Sequence, residues 1–110
     1  MMDSGQLMRG VLEQCVLALI EQGETYGYDI LSKLSRAGFD QVMEGTLYPV
    51  LTRLNKKKLI ACRMVKSPYG PMRKLYSITD AGVEELRQFR EIYKGFSTSA
   101  AQILFGEEDT

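Results

Sequence analysis

The sequence predicts a mainly α-helical fold carrying one small β-hairpin, and three observations lead there. Apolar residues recur at helical spacing in four separate stretches. After residue 58 the pattern changes to two short strand-like segments joined by Ser67-Pro68-Tyr69-Gly70-Pro71. Between residues 45 and 79 the chain holds eight bases (Arg53, Lys56, Lys57, Lys58, Arg63, Lys66, Arg73 and Lys74) and no acid. Bases and acids number 14 each, so a net charge of zero hides six bases against fourteen acids over all the other residues. A block of positive charge on an otherwise acidic body suits a polyanion that touches one surface.

The first helix is expected over residues 7–20, where Leu7, Val11, Leu12, Cys15, Val16, Leu19 and Ile20 share a face and Gln22-Gly23 ends the pattern. A second, over residues 27–36, groups Ile30, Leu31 and Leu34 and stops at Gly38. The third runs through residues 46–58. At about 100° per residue Leu47, Val50, Leu51 and Leu54 fall together, while Gly45, Pro49, Thr52, Arg53 and Lys56 gather opposite. Pro49 has no N–H to give a helix interior, so this helix should begin close to Gly45 or Thr46, with the proline in its first turn. Residues 59–66 and 72–78 read as the two strands of the hairpin. Thr79 is a good N-cap, with Asp80 in the first turn, for a long last helix striped by Val83, Leu86, Phe89, Tyr93, Phe96, Ala100, Ile103 and Leu104.

Length and composition bound the function. A chain of 110 residues with 45% hydrophobic and 25% charged residues is an ordinary globular domain, neither disordered nor fibrous. No apolar run reaches the ~18 residues needed to cross a bilayer. The first ten residues lack a basic stretch followed by an apolar one, so no secretory signal and a cytoplasmic location are expected. Cys15 and Cys62 read as reduced thiols packed as small hydrophobes. With no histidine and two separated cysteines, the chain lacks the usual ligands of zinc and the commonest general base, so no metal, cofactor or catalytic site is expected.

Three helices followed by a hairpin, with the basic block spanning the third helix and that hairpin, is the order of a winged helix-turn-helix over residues 1–78, closed by a C-terminal dimerisation helix over residues 79–110. The expected partner is double-stranded DNA. A major groove about 12 Å wide admits one helix, and the hairpin can lie alongside on the backbone. Thr46, Thr52 and Arg53 are then nearest the base edges, with Pro49 on the same small-residue face. Lys56, Lys66, Arg73 and Lys74 are the expected phosphate contacts, while Lys57 and Lys58 lie toward the packed side. Tyr26, Tyr28 and Tyr48 either pack half-buried or offer hydroxyls to phosphates, and Tyr69 sits at the hairpin tip with little core to bury it. The stripe Leu86, Phe89, Tyr93, Phe96, Ala100 and Ile103 is longer than a small core can cover, so it is expected to meet a second copy, with Val11 and Cys15 of the first helix contributing. Met8, Cys15, Tyr93 and Phe96 form a candidate effector pocket in that cleft, or simply core.

The segments Tyr26-Gly27-Tyr28-Asp29-Ile30, Gly45-Thr46-Leu47-Tyr48-Pro49-Val50-Leu51-Thr52-Arg53-Leu54, Leu59-Ile60, Gly70-Pro71-Met72-Arg73-Lys74-Leu75-Tyr76 and Ile78-Thr79-Asp80-Ala81-Gly82 together resemble the PadR family of bacterial transcriptional regulators. The resemblance covers about residues 12–86. It implies a homodimeric winged-helix repressor that binds a palindromic operator, dimerises through its C-terminal helix aided by the first, and is often released by a small molecule. With a single helix after the hairpin, the chain looks like the short branch of that family. Some relatives stack a planar effector on a tryptophan, and this chain has none. The competing reading is a winged-helix protein-protein adaptor that binds no DNA, since fold alone does not fix function.

Overall fold

The computed structural model describes residues 8, 10–68 and 70–106. Among these, helix α1 spans Leu12–Glu21, strand β1 Thr25–Tyr26, α2 Gly27–Arg36, α3 Glu44–Lys56, β2 Ile60–Lys66, β3 Met72–Ile78 and α4 Asp80–Phe105. The hairpin β2–β3 keeps one register throughout, from Ile60 opposite Ile78 to Lys66 opposite Met72. A third strand joins it. The two-residue β1 pairs antiparallel with β3, Thr25 opposite Tyr76 and Tyr26 opposite Leu75, giving the order β1-β3-β2. Two residues carry no readable alternation, so the sequence shows only a hairpin.

One apolar core holds the helices to the sheet. Val16, Leu17 and Ile20 of α1, Ile30 and Leu34 of α2, Leu47, Val50, Leu51 and Leu54 of α3, and Ile60 and Tyr76 of the hairpin are all buried in it. Leu86 of α4 also belongs here, at 2% exposure. Its expected place in a subunit interface is therefore corrected: the first turns of α4 pack on their own chain, and Leu86 is spent there. The remainder of α4 runs on, and the chain measures 54 × 33 × 22 Å.

The junction of α3, the hairpin and α4 is tightly made. Helix α3 ends with Lys58 in the left-handed region at φ 61°. The Lys58 amide donates to the Asn55 carbonyl and the Leu59 amide to the Leu54 carbonyl, each at 3.0 Å, a Schellman closure with lysine where glycine is usual. The Thr79 hydroxyl then donates to the Lys58 carbonyl at 2.7 Å and accepts from the Gly82 amide at 3.1 Å. A Cβ on Gly82 would lie 2.1 Å from the Leu59 carbonyl oxygen, so glycine is what lets α4 sit against this turn.

Helix α3 starts at Glu44, slightly earlier than the sequence implies, and Pro49 falls in its second turn rather than its first. The bond lost is the one that the Gly45 carbonyl would accept. Gly45 is exposed, so solvent can supply the missing donor there.

Candidate nucleic-acid interface

Opposite the buried leucines of α3 stand Gly45, Pro49, Thr52 and Lys56, all exposed, with Thr46 exposed beside them. Small residues along this row allow another backbone to approach the helix closely. The Thr52 hydroxyl donates to the Tyr48 carbonyl at 3.0 Å, which leaves its lone pairs as outward acceptors. Arg53 is placed differently from the expectation that it stands free at the base edges. It lies on the flank facing α1, where its Nε is 2.5 Å from the Glu13 carboxylate, and Lys57 Nζ approaches the other Glu13 oxygen at 3.6 Å. Helical spacing within α3 cannot reveal an acid 40 residues away on another helix.

The hairpin sorts its charges by strand alternation. Cys62 faces Tyr76 and Met64 faces Lys74 across the ladder, so Ile60, Cys62, Met64 and Lys66 share a side with Tyr76, Lys74 and Met72. That side is buried at its base, where Ile60 and Tyr76 enter the core, and cationic toward its tip at Lys66 and Lys74. Arg63 alternates to the other side and pairs with Glu24 at 3.3 Å. Thus three of the eight bases are held by acids, and among the described residues the other five, Lys56, Lys58, Lys66, Arg73 and Lys74, take part in no ion pair. Tyr69 lies outside the described residues.

A cavity of about 220 Å³ opens where the start of α2, α3 and β3 meet, and Tyr26, Tyr28, Tyr48, Tyr76, Arg73 and Lys74 line it with Gly27. Strand β1 explains the grouping. Pairing Tyr26 opposite Leu75 brings it diagonal to Arg73 on one side of the ladder, and the guanidinium sits 4.0 Å from the Tyr26 ring centre. A Cβ on Gly27 would stand 3.1 Å from the Tyr48 hydroxyl, so glycine there admits the Tyr48 ring. Tyr28 is largely exposed. Tyr76 is only 5% exposed, and the sequence, which marks it merely as a strand residue, gives no sign of its place here. Burial pushes the pKa of its hydroxyl up, and nearby Cys62 and Tyr48 push the same way, so it stays a protonated donor at neutral pH.

At the other end of the molecule α4 presents apolar side chains to solvent. Phe96 is 69% exposed and Ile103 85%, with Tyr93 half exposed and Ala100 partly covered. Ile92, Leu104 and Phe105, which helical counting did not single out as interface residues, are exposed with them. A cavity of about 670 Å³ lies between this stripe, Met8, Val11 and Phe89, and Phe39 of the segment after α2. Met8, Tyr93 and Phe96 of the expected effector pocket line it, but Cys15 does not. Cys15 packs against the core instead, and burial raises the pKa of its thiol. Among the described residues no helix is long and apolar enough to cross a membrane.

Comparison with known proteins agrees with this architecture. The profile of the transcriptional regulator PadR-like family matches residues 16–88. The structure of a PadR-like transcriptional regulator from Bacillus cereus superposes with a TM-score of 0.83 at 45% identity, covering 93% of this chain and 99% of that one. Among curated proteins, the negative transcriptional regulator PadR of Bacillus subtilis is 32% identical over 81 residues, which are 72% of this chain and 44% of that protein. The structure of Bacillus subtilis PadR in complex with operator DNA matches with a TM-score of 0.65 at 30% identity, over 72% of this chain and 46% of that chain. The fold is a winged helix, and the chain belongs to the PadR-like family of transcriptional regulators.

Proposed function

We propose that the chain is a homodimeric repressor that inserts α3 into the major groove of a palindromic operator, lays the hairpin on the flanking backbone, and is released by a small molecule bound in the cavity beside α4. The observation that carries the reading is the distribution of unpaired cations. Glu13 and Glu24 pair with Arg53, Lys57 and Arg63, while among the described residues Lys56, Lys58, Lys66, Arg73 and Lys74 take part in no ion pair, Lys66 and Lys74 on one face of the hairpin and Arg73 on the other, over Tyr26. The relative whose structure holds operator DNA supports the choice of partner. The apolar stripe of α4 supports the dimer, because so many large apolar side chains on one helix face are stable in water only when covered. Two-fold pairing through α4 sets the recognition helices about 34 Å apart, one turn of DNA.

Salt titration of DNA binding tests this. Four phosphate contacts per subunit make eight per dimer, so log affinity should fall against log salt with a slope of roughly −7. Lys74→Ala should weaken operator and random DNA alike and flatten the slope by about 2 per dimer. A wild-type response independent of salt would refute DNA binding and favour the adaptor.

A further inference from the structure

The tyrosine-lined cavity holds more than positive charge. Tyr76 is 5% exposed and its ring belongs to the core, yet the residue also lines the cavity, and among the described residues its hydroxyl takes part in no side-chain hydrogen bond. That hydroxyl is not among the sealed, unpartnered polar atoms, so a ligand in the cavity can replace water as the acceptor of its proton. The start of α2 lines the same cavity at Gly27 and Tyr28. Its N-cap, Tyr26, provides no side-chain cap, so the first-turn amides are uncapped and aimed outward along the helix axis. Arg73 and Lys74 supply charge at the rim, and Arg73 is oriented by its contact with Tyr26. Asp29, in the same first turn, is exposed and does not line the cavity. Two phenol donors, free amides and two cations around one small cavity match a tetrahedral oxyanion, which offers only acceptors.

We propose that this cavity seats one phosphate group, specifically a single backbone phosphate of bound DNA, with Tyr76 and Tyr48 donating their hydroxyls to it, the α2 amides facing it, and Arg73 and Lys74 balancing its charge. The inference rests on the DNA-binding reading and adds to it a residue, Tyr76, and a role: the phosphate bridges α2, α3 and the hairpin at once, and so fixes the tilt of α3 in the groove. Gly27 serves the seat by admitting Tyr48.

The test uses the full chain, with Tyr76→Phe as the main variant because it keeps the ring in the core, and a thermal unfolding midpoint close to wild type verifies that. Binding is measured to duplexes in which single backbone phosphates are replaced one at a time by neutral methylphosphonates. The expected result is about a tenfold loss for Tyr76→Phe, in keeping with a hydrogen bond to a charged group. One methylphosphonate position per half-site should cost the wild type a similar factor and cost Tyr76→Phe nothing further, because the two changes remove the same interaction. Gly27→Ala should lose affinity at that same position. Additive losses, or wild-type affinity in Tyr76→Phe, would overturn the seat while leaving DNA binding intact. Wild-type protein that binds no duplex overturns both readings. A last arm titrates inorganic phosphate while the Tyr76 ring is followed by NMR. Saturation below millimolar phosphate, combined with unchanged DNA affinity in Tyr76→Phe, would assign the cavity to a free phosphorylated ligand and refute the backbone assignment.

Discussion

Gly82→Ala is the most demanding single-atom test of how this fold is held. The added Cβ would sit 2.1 Å from the Leu59 carbonyl oxygen and 2.7 Å from Ile78 Cγ1, where ordinary contacts begin near 3.4 Å. Backbone on one side and a strand end on the other leave no flexible tip to swing away, so α4 must back off by about 1 Å in a close-packed interior. That movement pulls the Gly82 amide from the Thr79 hydroxyl and the Thr79 amide from the Leu59 carbonyl, both now 3.1 Å long, and loosens the fit of Leu86. Overpacking costs about 1–3 kcal/mol and a lost cap about 1 more, together about 2–4 kcal/mol. In a domain of this size each kcal/mol moves the midpoint by about 4–8 °C, so a drop on the order of 10–25 °C is expected. Circular dichroism melts at one fixed protein concentration measure it, because the proposed coverage of α4 by a second copy would make the midpoint concentration-dependent. Gly95→Ala is the matched control: no atom lies within 4 Å of its added Cβ, and in mid-helix alanine should stabilise by about 0.5–1 kcal/mol. A Gly82→Ala midpoint within a few degrees of wild type would refute the close approach of α4 to the α3–β2 turn.

Lys58→Gly should raise the midpoint by about 4–8 °C, since glycine occupies φ 61° without the roughly 1 kcal/mol that a side chain costs there; a lower midpoint would show that the lysine contributes more than its backbone strain removes. Glu13→Gln should strengthen DNA binding about two- to fivefold by freeing Arg53 and Lys57, the range set by the small net worth of an exposed ion pair, with Arg53→Ala abolishing the gain. If Glu13→Gln instead weakens binding with the fold intact, Arg53 acts by pinning α3 to α1 rather than by touching DNA.

Periodic stretches were readable and cross-chain relations were not. Residues 27–36 carry their apolar face, their stop and no competing signal, and α2 occupies those residues. The hairpin follows from a Pro/Gly tip between two alternating segments, and β2 and β3 lie within a residue of the positions they imply. The third strand escaped because β1 is defined only by its partner, and with it escaped the grouping of Tyr26, Arg73 and Tyr76. The eight-base block was legible as a count, yet which bases stay free depended on Glu13 and Glu24, outside the block. Leu86 illustrates the same limit: on the helical wheel it is indistinguishable from Phe89 and Phe96, and only the packing of the first turns of α4 on the core separates them.

The polar contacts of α1 give the proposed release by a small molecule a physical route. Glu13 binds Arg53 and Lys57 of α3, while Gln14 donates to Glu85 at 2.9 Å and Glu21 accepts from Arg90 at 2.9 Å, both on α4. Helix α1 is thus tied by polar contacts to α3, the proposed recognition helix, on one side and to α4, the proposed dimer helix, on the other. The cavity beside α4 is bounded by Met8, Gly10 and Val11, directly before α1 begins. A ligand there need not reach DNA-facing residues. Under that proposal a shift of the start of α1 would move Glu13, two residues on from Val11, and with it Arg53 and the spacing of α3 between the two proposed subunits. Couplings between sites are typically 1–3 kcal/mol, comparable to a few exposed ion pairs and polar contacts of this kind, so a change in the way α1 is held is large enough to change operator affinity severalfold.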